Sequence, residues 1–131
     1  GLTAHGATAN DVIGIKSATP VAYLYQNVVA DNGIIFRTEM SCLEMVAGAG
    51  SLDEVNLVWA SSGTLTYSGA GGTTYGIDSG TWAAGITKVF EGAVPTANHY
   101  AYLTEGTTDG DDSAFTAGQF LITLYGHPVL T

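Results

Sequence analysis

The one stretch of this sequence that looks like chemistry is acidic. Glu105, Asp109, Asp111 and Asp112 fall within eight residues, in "EGTTDGDD", and hard oxygen donors at that density are what calcium takes. The spacing is not that of an EF-hand, which needs D-x-[DN]-x-[DN]-G followed by a distant Glu. Aspartate and glycine are also ordinary turn formers. We therefore read the segment as the solvated tip between two strands, with a calcium site at Glu105, Asp109, Asp111 and Asp112 as the alternative. No other cofactor is expected.

The remaining reactive residues do not converge on a motif. His5, His99 and His127 are far apart and lack H-x-H or H-E-x-x-H spacing. The segment "GIDSG" has its serine one residue late for a G-x-S-x-G elbow, and no helix follows it. The glycine-rich "SGAGGTTYG" has neither a G-x-G-x-x-G pattern nor a P-loop lysine. Cys42 is the only cysteine, which excludes an intrachain disulfide and a cysteine zinc site, and its apolar neighbours point to a buried thiol. An enzyme is not expected, although carboxylate pairs for glycoside hydrolysis meet in space and not in sequence. Tyr67, Tyr75 and Trp82, set among small polar residues, suggest either a sugar-stacking face or aromatics packed into a core. Packing is the favoured reading, because aromatic side chains dominate core energetics.

The composition narrows the partners. The 131 residues make one domain, 46% hydrophobic but only 11% charged, against about 25% charged in an average protein. With 18 glycines and 13 aromatics, the chain is too hydrophobic to be disordered, and its surface must be largely uncharged. Lys16, Arg37 and Lys88 are the only basic residues, and the net charge is −9. Three scattered cations cannot displace counterions from phosphates, so no nucleic acid is expected. An anionic membrane would repel the chain, and no apolar run approaches the ~18 residues of a spanning helix. The start lacks a basic region leading into an apolar one, so the expectation is a soluble chain, either unsecreted or already processed.

The elements that must position these residues read as strands. Residues 1–19 read as an extended N-terminal arm or edge segment whose short apolar patch, Val12, Ile13 and Ile15, is the candidate for partner contact. A single β-sandwich domain follows over 20–131. Val21, Tyr23 and Tyr25 alternate on one face. Ile34, Phe36, Met40 and Cys42 do so on another, opposite Arg37, Glu39 and Ser41. The Asn32-Gly33 between these runs predicts a type I′ hairpin over residues 21–42. Val55, Leu57 and Trp59 alternate in a strand of about seven residues, in competition with a Ser51–Glu54 capping box. Short strands joined by glycine turns follow over 62–85, then "ITKVFEG", "NHYAYLT" and "QFLITLYG". The last is apolar on both faces, as a central strand would be. Eight or nine short strands without a convincing helix predict an all-β antiparallel β-sandwich or jelly roll.

The arm, the sandwich pattern, the Gly/Ala/Thr-rich acidic composition and the closing strand "AGQFLITLYG" resemble the small decoration, or cement, proteins of tailed bacteriophage capsids. The resemblance implies a non-enzymatic structural subunit on the virion surface. It also implies a homo-oligomer, a trimer in particular, that binds the major capsid protein partly through residues 1–20 and reinforces the shell. The alternative from a different class is an extracellular carbohydrate- or surface-binding module using Tyr67, Tyr75, Trp82 and a calcium-ordered acidic loop.

Overall fold

A computed structural model describes residues 12–14, 22–47, 54–65, 74–77, 81–91, 95–105 and 116–128. Its elements are β1 (Tyr25–Gln26), α1 (Val29–Asn32), β2 (Ile34–Ala47), β3 (Val55–Ala60), β4 (Thr74–Ile77), β5 (Thr87–Glu91), β6 (Tyr100–Glu105) and β7 (Ala117–His127). They form two antiparallel sheets, of order β1-β6-β3-β4 and β5-β2-β7. The chain is an all-β sandwich, as its period-two patterning requires.

Alternation builds the layer between the sheets. Val55, Leu57 and Trp59 of β3 and Ala101 and Leu103 of β6 face inward, and Met40, Cys42, Phe120, Ile122 and Leu124 meet them from the second sheet. The other face of the first sheet is covered as well. Val58, Ala60 and Tyr102 pack there with Val12, Ala22 and Leu65, and Tyr102 holds the covering segment by donating to Ser62 O at 2.9 Å. β3 is consequently buried at every residue. Glu54 extends this strand through a bridge to Thr81, while Ser51 of the competing capping box lies outside the described residues.

The expected hairpin over residues 21–42 does not form. β1 pairs with β6 and β2 pairs with β5 and β7, so the two runs lie in different sheets. Asn32-Gly33 closes a helical turn instead: Asp31 and Asn32 donate their N–H groups to Val28 O, and Gly33 donates to Val29 O. Gly33 has φ +70, and a Cβ there would lie 2.1 Å from His127 O. The same positive φ that suits a type I′ turn also suits a helix C-terminus, and packing decides between them. Tyr23 and Tyr25 likewise separate, Tyr23 meeting Tyr100 and Tyr25 meeting Trp59.

The alternation expected in β2 holds for its middle and fails at its start. Met40 and Cys42 are fully buried, but Ile34 and Phe36 are 47% and 52% exposed. A bulge between Ile35 and Arg37 inserts one residue and moves the preceding side chains to the opposite face. β7 is also not central. It lies at the edge of its sheet, beside β2 alone.

Where it is described, the N-terminal segment runs as an edge segment of the first sheet. Val12 bridges Thr104, and Ile13 donates its N–H to Leu103 O at 2.8 Å. Farther along the same edge of β6, Tyr25 and Gln26 face Ala101 and Tyr100. Gly14 lies close against Ala22: a Cβ at Gly14 would lie 2.5 Å from Ala22 Cβ.

Candidate functional site

Among the described residues, those singled out for chemistry are not brought together. Of the calcium candidates, Glu105 closes β6 and is 3% exposed, while Asp109, Asp111 and Asp112 lie outside the described residues. Among the described residues no three His, Cys, Asp or Glu side chains are grouped to hold a metal. His99 sits before β6 and His127 ends β7, and His5 is outside the described residues. Cys42 is buried, and desolvation pushes its thiol pKa up, which disfavours the thiolate.

Of the sugar-stacking trio, only the Trp82 side chain is described. Trp82 is 1% exposed and donates its indole N–H to Val55 O at 2.7 Å, so its face is not offered to a ligand. Tyr67 lies outside the described residues, and of Tyr75 only the backbone in β4 is described. The partner-contact patch is corrected in the same way. Val12 and Ile13 are 3% and 6% exposed and belong to the fold, and Ile15 lies outside the described residues.

What the sandwich does expose is one face of its second sheet. The paired rows Glu91–Arg37–Tyr125, Val89–Glu39–Thr123 and Thr87–Ser41–Leu121 run across it. Val89 and Leu121 are 45% and 54% exposed. Phe36, Leu43 and Met45 of β2 are exposed as well. Among the described residues, large exposed apolar side chains thus concentrate on this sheet, while β3 and β6 of the first sheet are packed on both faces. The polar groups among them are tied to each other: Arg37 pairs with Glu39 and, at 3.4 Å, with Glu91, and Tyr125 donates its hydroxyl to Glu39 at 2.9 Å. The guanidinium of Arg37 also lies 5.3 Å from the Tyr125 ring centroid. Internally paired ions among exposed apolar groups make a face that loses little on leaving water.

Sequence reasoning missed Phe36, Leu43, Val89 and Leu121 as surface residues. The signal was present in β7, whose side chains are apolar on both faces, and it reads as burial unless the strand's place in the sheet is known. Comparison with family models, with curated proteins and with solved structures finds no match for this chain.

Proposed function

We propose that this protein is a non-enzymatic structural subunit that works by lying against a larger assembly, in the manner of a capsid decoration protein on a virion. The observation that carries the reading is the outer face of β5-β2-β7, where Val89, Leu121 and Leu43 stand exposed around an internally paired Arg37–Glu39–Tyr125 cluster. A face of exposed apolar side chains spread over three strands suits a protein surface better than a small substrate. The low charge content, 11%, keeps the cost of desolvating such a surface small. The resemblance to phage cement proteins supplies the shell, through its major capsid protein, as the partner and homo-oligomerisation as the expected state.

The test is attachment to purified shells. Leu43→Asp and Val89→Asp place carboxylates on the face at side chains that are already exposed, so folding is retained. Co-sedimentation with shells should fall at least about tenfold for the pair, since burying an unpaired carboxylate costs well over 1.4 kcal/mol. Full attachment by the doubly substituted protein would remove this face from the function.

A further inference from the structure

β7 combines the composition of an interior strand with the position of an edge. Its 11 residues, AGQFLITLYGH, contain no Asp, Glu, Lys, Arg or Pro. Natural proteins blunt exposed edges with charges, prolines, bulges or short length. The other outer strands show such protection: β1 and β4 have two and four residues, and β5 has five with Lys88 and Glu91 among them. β7 has none of it along Phe120–Tyr125, where its pairing with β2 is regular.

The direction of its peptide groups follows from the register. Cys42 donates its N–H to Ile86 O, so the even residues of β2 near Cys42 turn their peptide groups toward β5, and Glu39 and Ser41 turn theirs toward β7. Their partners Thr123 and Leu121 therefore face β2. Phe120, Ile122 and Leu124 point their N–H and C=O groups off the sheet. Among the described residues nothing pairs with that edge.

From this we infer that β7 is an association edge. It pairs antiparallel with β7 of a second copy of the chain and makes one six-stranded sheet, β5-β2-β7-β7-β2-β5, across a two-fold axis. Three observations favour a second copy as the occupant. The row of outward peptide groups is self-complementary: a two-fold at Ile122 sets Ile122 against its equivalent and Phe120 against Leu124, all with groups pointing outward. No other edge among the described strands is long enough to match β7, so a head-to-tail ring would leave more than half of it unpaired. Finally, the chain carries a net charge of −9, and this strand is where two copies meet without opposing ionised side chains. A fully paired edge of 11 residues offers about ten backbone hydrogen bonds, the number a stable protein interface carries. The inference rests on the structural reading above only in taking self-association as part of the function, and it sets a two-fold dimer in place of the trimer that the resemblance implies.

Sedimentation equilibrium of the full chain tests it, and a dimer is expected. Leu121→Lys with Thr123→Lys sets lysines directly opposite each other across the seam and should weaken dimerisation at least about tenfold, even though it makes the chain less negative overall. Val89→Lys, on the far strand of the same face, should leave the dimer intact. A monomeric or trimeric wild-type protein overturns the inference, as does a dimer that Val89→Lys disrupts equally. Should the lysine pair unfold the protein, amide exchange on the wild type decides. The Phe120, Ile122 and Leu124 amides must be protected in the dimer and exchange rapidly on dilution to monomer, and rapid exchange within the dimer overturns the pairing. Shell attachment reads the two ideas apart. A dimer that ignores shells sinks the proposed function alone, and a monomer that decorates them sinks the edge pairing alone.

Discussion

The indole nitrogen of Trp82 donates to the backbone carbonyl of Val55 at 2.7 Å, tying the segment that precedes β5 to the first residue of β3. The chain crosses there from the first sheet to the second. The ring packs edge-on against Phe120, with centroids 5.2 Å apart, and Lys88 lies 4.6 Å from the ring centroid. Trp82 is thus the wedge that joins both sheets where the strand order changes layer. Trp82→Phe, which keeps most of the ring and loses the donor, should cost about 1–2 kcal/mol in urea denaturation. Trp82→Ala should cost about 3–5 kcal/mol. Unchanged stability together with lost glycan binding would restore the sugar-stacking role.

Ile13 provides the matching test at the N-terminal segment. It is 6% exposed, packs in the core and donates to Leu103 O. Ile13→Ala should destabilise the domain by about 2–4 kcal/mol, whereas a residue reserved for a partner would be neutral until that partner is added. Gly14→Val should be comparably harmful, because its Cβ would overlap Ala22. Denaturant midpoints of the two single variants check both.

Asn27 ties the end of β1 to the turn before β6. Its side-chain amide is buried and donates to Pro95 O at 2.9 Å, and its backbone exchanges hydrogen bonds with His99 and Asn98. Asn98 takes φ 64 in that turn, a left-handed conformation that asparagine tolerates better than most residues. Asn27→Ala should cost about 1–3 kcal/mol by stranding the Pro95 carbonyl, read as a lowered thermal midpoint. No change in the midpoint would show that water replaces the amide.

Much of this architecture was legible in period-two patterning, and what was not legible failed for one physical reason. Val55, Leu57 and Trp59 declare both a strand and its inward face, because both are local properties. Pairing is not local. Asn32-Gly33 correctly announces a reversal with positive φ, yet it cannot say whether the next strand returns beside the last or crosses to the other sheet. Phe120–Tyr125 is apolar on both faces whether a neighbouring strand or solvent lies beyond it. Val12 and Ile13 read as a detachable patch only because their partners, Thr104 and Leu103, lie some ninety residues away in the sequence. The bulge after Ile35 left no mark that single-sequence reasoning could use, so Phe36 was assigned to the wrong side.

Alkaline pH should weaken the fold in a defined window. Burial raises the pKa of the Cys42 thiol above its ordinary value of 9.0. Burial first, and the charge of Asp31 second, raises Tyr25 above 10.0. Burial also raises Tyr102, against a partial opposing effect from the Leu65 N–H. At Tyr125 the leading cause is different: its hydroxyl donates to Glu39, and losing that proton would set a phenolate beside a carboxylate. In each case the folded state holds the proton more tightly than the unfolded chain does. The stabilisation is therefore fully present below the unfolded pKa and is lost as pH rises through the folded one. The thermal midpoint should begin to fall near pH 9 and fall more steeply above 10, where the tyrosines of the unfolded chain ionise. Cys42→Ala should move the onset toward 10, and Tyr125→Phe should make the later fall shallower. A wild-type midpoint that stays constant to about pH 11 would mean that these groups do not hold their protons more tightly in the folded state.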